Sequence, residues 1–309
     1  MRSFRDLYRS GELRDRVREA YRHLGSCDLC PHCCGVNRLR GERGRCRAGF
    51  LPRVASATIH RGEEPPVSGS RGSGTIFFSG CTLSCLFCQN YPISHLDHGD
   101  DIPVRALAER MLHLAGRGAH NINLVTPTHF LPQILAALFL AIPRGFDLPV
   151  VWNSSGYERP EILALLEGVV SVYLPDMKYG DDPPALRLSG APGYREVNRR
   201  AVLEMFRQVG HLETDREGIA VSGLIIRHLV LPEGGGGTRE ILSWVRDHLG
   251  EETHVSLMSQ YFPAGRAAEL HGMDRGVTPR EYDAALSFLQ EYGLENGWIQ
   301  ELEEERKGI

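Results

Sequence analysis

The chain has 309 residues, a length that suits one large domain or one domain with an appendage. With 42% hydrophobic residues, 24% charged residues and a net charge of -4, it has the make-up of an ordinary globular protein. It has no overall positive field to grip a nucleic-acid backbone, so no nucleic-acid partner is expected. The opening Met1-Arg2-Ser3-Phe4-Arg5-Asp6 lacks the apolar core of a secretory signal. The longest apolar run, Phe130 to Pro143, is interrupted by Pro132 and too short for a bilayer. A cytoplasmic protein with no membrane partner is expected.

In chain order, the first element is a polar helix over about Gly11–His23, whose arginines alternate with Asp15 and Glu19 as on a solvated face. A loop rich in Cys, Gly and Arg follows. Val54–Ile59 favours a strand, and Glu64-Pro65-Pro66 breaks the pattern. From residue 74 strands and helices alternate. The strand candidates are Thr75–Ser79, Asn121–Thr126, Pro149–Asn153, Ser171–Pro175, Gly223–Leu231 and His254–Ser259. The helical patterns are Val104–Ala115, Pro132–Ala141, Pro160–Glu167, Arg195–Val209, Thr238–Leu249 and Pro279–Tyr292, before an acidic tail at Glu301–Lys307. Short, β-branched and often uniformly apolar strands are those of a parallel sheet buried on both faces. Six β/α units predict an α/β fold, either a doubly wound sheet or an incomplete barrel. Residues 1–70 are expected to form an N-terminal helix and Cys-rich segment, and residues 71–309 the β/α unit with its C-terminal helix and tail. Gly234–Gly237 lacks the following Gly-Lys-Ser/Thr of a phosphate loop. The glycines of 69–74 precede a strand where a dinucleotide fingerprint would follow one, so neither stretch is a nucleotide cradle.

The eight cysteines fall into two groups, at 27, 30, 33, 34 and 46 and at 81, 85 and 88. In a reducing compartment such groups are metal ligands or catalytic thiols more often than disulfides. Gly80-Cys81-Thr-Leu-Ser-Cys85-Leu-Phe87-Cys88 follows directly on the first strand of the alternating region. Three cysteines in one tight loop can hold three corners of a 4Fe–4S cluster and leave one iron open to a ligand. A structural zinc loop, with His95 as fourth ligand, is the competing reading.

This C-x3-C-x2-C spacing, with an aromatic residue before the last cysteine, resembles the signature of the radical S-adenosylmethionine (SAM) superfamily. The resemblance implies a partial (β/α)6 barrel, a 4Fe–4S cluster on Cys81, Cys85 and Cys88, and SAM chelated at the open iron. It also implies reductive cleavage of SAM to a 5′-deoxyadenosyl radical that abstracts hydrogen, with Phe87 beside the adenine.

Ligand-binding residues of such barrels lie at the C-terminal ends of strands. Polar residues stand there in Thr126-Pro127-Thr128-His129, Asn153-Ser154-Ser155, Asp176-Met177-Lys178, Arg227-His228 and Met258-Ser259-Gln260-Tyr261. Residues 72–290 further resemble the pyruvate formate-lyase activating enzyme group, through Gly74-Thr-Ile-Phe-Phe-Ser-Gly-Cys81 and Arg227-His-Leu-Val-Leu-Pro232. That likeness implies that Asn153, Ser154, Ser155, Asp176 and Lys178 surround the methionine end of SAM. The group's Gly-Gly-Glu run after the second strand is absent, and Thr126, Thr128 and His129 stand in its place as expected cofactor contacts. Arg227 is expected at a ribose or carboxylate, Gln260 and Tyr261 at the substrate mouth, and His129 and His228 are candidate acids or bases.

Among the N-terminal cysteines, Cys27, Cys30, one of Cys33 or Cys34, and Cys46 make a four-ligand set for a second 4Fe–4S cluster or for zinc. The resemblance selects Cys34, and the barrel's own need for cluster assembly favours iron–sulfur. The function expected is a radical SAM oxidoreductase, with a glycyl radical enzyme or other protein substrate as partner and a flavodoxin- or ferredoxin-type reductant. Radical modification of a small molecule, peptide or RNA is the alternative within catalysis. A non-catalytic iron–sulfur or zinc electron carrier is the alternative outside it.

Overall fold

The computed structural model describes residues 3–302, so most of the tail expected at Glu301–Lys307 lies outside the described residues. Its strands are β1 (Arg53–His60), β2 (Ser73–Phe78), β3 (Asp100–Asp101), β4 (Ile122–Val125), β5 (Val150–Ser154), β6 (Val172–Pro175), β7 (Glu213–Thr214), β8 (Ala220–Leu229), β9 (His254–Met258) and β10 (Gly297–Ile299). They form a ten-stranded sheet in the order β10-β9-β8-β6-β5-β4-β2-β1-β3, with β7 beside β8. The six expected strands (β2, β4, β5, β6, β8 and β9) are neighbours in chain order and pair parallel throughout. Every residue of β4, β5 and β6 is buried, which explains their largely apolar make-up. The sheet is open, with β3 and β10 at its edges. The α/β expectation of a mostly parallel, partial barrel holds.

Other details depart from expectation for local reasons. The helix expected at about Gly11–His23 is present as Glu12–Arg22, and a helix not foreseen, Phe4–Ser10, precedes it; Gly11, at a φ of 84°, ends the first and opens the second. The first is fixed by a capping box between Ser3 and Asp6. Another helix not foreseen, Asp182–Ser189, carries a Pro-Pro pair in its first turn, a place that suits proline. β1 runs antiparallel to β2, and β10 adds a parallel edge to β9. The β6–β8 ladder lapses after Tyr173 and resumes at Asp176–Arg227. Pro175 has no N–H to donate there.

The expected boundary near residue 70 is not a gap in packing. Phe4, Leu7, Leu13 and Leu24 share one core with Leu131, Leu135, Trp152 and Ile226. Tyr8 meets Phe139 at 5.1 Å between ring centroids. Arg38, 1% exposed, donates to the carbonyls of Gly49 (2.7 Å) and His129 (2.7 Å), tying the Cys-rich loop to the second β/α unit. Among the described residues no helix is long and apolar enough to cross a membrane.

Candidate functional site

The chain leaves β2 at Gly80, where φ is 77° and a side chain would run into the Cys46 carbonyl. Glycine is therefore the residue that can start this loop. Cys81, Cys85 and Cys88 then wrap the C-terminal ends of the parallel strands and line one cavity of about 370 Å³, a volume suited to a small organic cofactor.

Each of the three sulfurs accepts a hydrogen bond from a different donor. Leu83 N–H reaches Cys81 Sγ (3.3 Å), Ser189 Oγ reaches Cys85 Sγ (2.9 Å) and Ser94 Oγ reaches Cys88 Sγ (3.0 Å). Ser189 spends its only proton on the sulfur, so the Tyr179 hydroxyl at 2.5 Å is the donor to Ser189. Burial pushes the Cys81 and Cys85 thiols up, Cys85 to about 11, and the neighbouring cysteines push the same way. Buried sulfurs with donors already aimed at them are suited to thiolate ligation, in which a metal supplies the positive charge that burial otherwise denies. The set fits a cluster held by three thiolates. No three His, Cys, Asp or Glu side chains among the described residues are closed to the spacing of ligands around one ion, and this holds for both cysteine groups alike.

The same cavity is lined by Phe87, Thr126, Asn153, Ser154, Ser155, Asp176, Lys178, Arg227 and Gln260. Lys178 Nζ meets Asp176 Oδ2 at 2.6 Å. Burial opposes the charge on Lys178, but Asp176 outweighs it and holds the ammonium above its usual range. Thr126 sits at φ 58°, a left-handed conformation that β-branched residues rarely adopt, with its N–H bound to the Asn153 carbonyl (2.9 Å).

Three expected contacts lie elsewhere. Immediately after Thr126 the chain enters a tight turn, Thr128–Phe130, that carries the next side chains beneath the strand ends. Thr128 Oγ1 donates to Glu158 (2.8 Å), and His129 Nε2 bonds the Ser79 carbonyl (2.9 Å). Tyr261 is turned inward, donating to the Met273 carbonyl (2.7 Å). His129 and His228 are fully buried, and burial lowers both to about 4, so they stay neutral near pH 7. His228 Nδ1–H donates to the Met177 carbonyl (2.7 Å) and Nε2 accepts from Thr238 Oγ1 (2.9 Å). With both ring nitrogens engaged, His228 holds backbone together and transfers no proton in the cavity.

Several residues of the site had no motif to reveal them. Glu63 lines the cavity from the loop after β1, 3.4 Å from Asn153 Nδ2 and 3.6 Å from Arg227. Glu64 and Asp176 flank the same guanidinium at 3.5 and 3.6 Å. Burial works against that charge, and the three carboxylates together sustain it. Glu158, in the core, accepts from Thr128, Trp152 Nε1 (2.8 Å) and Ser154 Oγ (2.5 Å), which fixes Ser154 from behind. On the helix Tyr194–Val209, Tyr194 and Asn198 lie one turn apart. Tyr194 Oη accepts from Lys178 N (3.0 Å) and donates to the Ser155 carbonyl (3.0 Å), and Asn198 Nδ2 donates to the Asp176 carbonyl (3.0 Å). The i, i+4 polar pair was the one available sign of this clamp.

Residues 75–221 match the family model described as the Radical SAM superfamily. The chain is 34% identical over 279 residues to an uncharacterised protein of Methanocaldococcus jannaschii, which spans 87% of this chain and 76% of that one. In fold it is similar to the crystal structure of HydG, a maturase of the [FeFe]-hydrogenase, with a TM-score of 0.53, 12% identity and coverage of 79% of this chain and 56% of that one. A radical SAM methyltransferase from Sphaerobacter thermophilus aligns at a TM-score of 0.49 and 13% identity, over 73% of this chain and 66% of that one.

Proposed function

The chain belongs to the radical SAM superfamily, and from that premise we propose that its cavity binds SAM over a 4Fe–4S cluster on Cys81, Cys85 and Cys88. When bound, such a cluster would supply the electron for reductive cleavage of SAM, the source of a 5′-deoxyadenosyl radical that would take a hydrogen atom from substrate. The observation that carries this reading is the convergence of three hydrogen-bonded cysteine sulfurs with Asp176, Lys178 and Arg227 on one cavity. In this proposal Asp176 and Lys178 orient the charged methionine end through charge-assisted hydrogen bonds. The Thr126 hydroxyl accepts from the SAM ammonium, Asn153, Ser154 and Ser155 complete that end, and Phe87 lies beside the adenine. Arg227 reaches the ribose or a carboxylate, and Gln260 faces the mouth.

For substrate, we propose a glycyl radical enzyme as partner, with a flavodoxin- or ferredoxin-type protein as reductant. The likeness of the motifs at 74–81 and 227–232 to the activating enzyme group supports this finer reading. Electron paramagnetic resonance tests it on reconstituted, reduced protein mixed with SAM and native cell extract. A glycyl-type radical that disappears with Cys85→Ala is the expected result. Control-sensitive release of 5′-deoxyadenosine without that signal would overturn the activase reading and point to modification of a small molecule, peptide or RNA.

A further inference from the structure

The Cys-rich loop contains a second set of sulfurs that the radical chemistry does not use. Cys27, Cys30 and Cys46 are buried, and each sulfur is faced by the backbone N–H two residues on, from Leu29, His32 and Ala48. At Cys81 the equivalent amide, Leu83 N–H, donates to sulfur at 3.3 Å. The same short turn thus presents all three sulfurs as it presents Cys81. The buried guanidinium of Arg38 lies beside Cys27 and Cys46.

Cys33 and Cys34 are adjacent and both exposed, yet they point different ways. Cys34 Sγ donates to the Cys27 carbonyl at 3.8 Å, on the side of the loop that holds Cys27, Cys30 and Cys46. Its sulfur occupies a space that any side chain at Gly44 would fill. Cys33, at φ 40°, donates its thiol to the Cys30 carbonyl (3.4 Å) and lines a separate cleft with Glu158 and Arg159.

We propose that Cys27, Cys30, Cys34 and Cys46 form a second metal centre of four thiolates, seated against the back of the loop that begins at Gly80. The seating is direct. The Cys46 carbonyl leaves no room for a side chain at Gly80, and His32 Nε2 donates to the Thr82 carbonyl at 2.8 Å. Four thiolates suit either a 4Fe–4S cluster or zinc. Either would fix a segment rich in turns whose own side chains supply little core.

The test uses the full chain carrying Cys81→Ala, Cys85→Ala and Cys88→Ala together, which removes the radical site and with it any dependence on the proposed function. After anaerobic loading with iron and sulfide, or with zinc, and desalting, about four irons with sulfide, or about one zinc, should remain per chain. Iron retention identifies the cluster and zinc retention the mononuclear site. Adding Cys33→Ser should leave the metal in place, and adding Cys34→Ser should release it. Native alkylation of the loaded protein guards against misfolding of the Cys34 variant. Cys34 should react about tenfold more slowly than its neighbour Cys33 and catch up once the metal is chelated. Absence of bound metal, loss with Cys33→Ser in place of Cys34→Ser, or equal alkylation of the two would overturn the proposal.

Discussion

At the scale of single residues, Thr126 concentrates the tension between stability and use. A β-branched residue at φ 58° is strained by roughly 1–3 kcal/mol. Thr126→Gly should therefore hold or raise the thermal midpoint, while Thr126→Val keeps the strain. Both should weaken SAM binding measured by calorimetry, because both remove the hydroxyl. Unchanged affinity in both would remove Thr126 from the cofactor's contacts. The buried histidines make a second prediction. Their folded pKa of about 4 lies below the ordinary 6.5, so the fold favours the neutral rings. Their contribution is fully present above pH 6.5 and is lost as pH falls toward 4, by roughly 3 kcal/mol apiece at most. Denaturant midpoints should fall between pH 7 and pH 4.5; a flat profile would contradict the neutral, doubly bonded His228.

At the scale of elements, the helix Tyr194–Val209 acts as a brace for two strand ends. Asn198→Ala would leave the Gly156 carbonyl without its donor and take one of two from the Asp176 carbonyl, and should cost about 1–3 kcal/mol in urea unfolding. Gly156→Ala should be worse. Gly156 has a φ of 66°, and a Cβ there would strike Asn198 Nδ2 and the Asp176 carbonyl. If Gly156→Ala matched wild type in midpoint, the brace would have no mechanical weight. The elements themselves were largely legible, because β4, β5 and β6 are buried on both faces and so read as short, mostly apolar runs. The helix Asp182–Ser189 escaped because its prolines serve a first turn as readily as a loop. Within the site, the cysteines and strand-end polar residues could be read from local patterns. Glu63, Glu158 and Tyr194 could not, since each reaches the cavity or its supports only through tertiary packing.

At the scale of the molecule, the Cys-rich segment and the sheet are one packed body. Arg38 shows this most directly, being buried in the first segment yet bonded to the carbonyl of His129. Arg38→Met keeps the bulk and removes the donors, leaving the Gly49 and His129 carbonyls unpaired. It should lower stability by about 2–4 kcal/mol, and the chain should still unfold in one transition followed by tryptophan fluorescence. Two separated transitions in the wild type would show that the segments fold apart.

The central claim is that the three cysteines after β2 make this chain a SAM-cleaving enzyme. The most direct measurement is 5′-deoxyadenosine formed from SAM by anaerobically reconstituted, dithionite-reduced protein, compared with Cys85→Ala loaded in the same way. Formation by the wild type and its loss in the variant is the predicted result. Equal release by both, or none from a wild type shown to carry its cluster, would contradict the account.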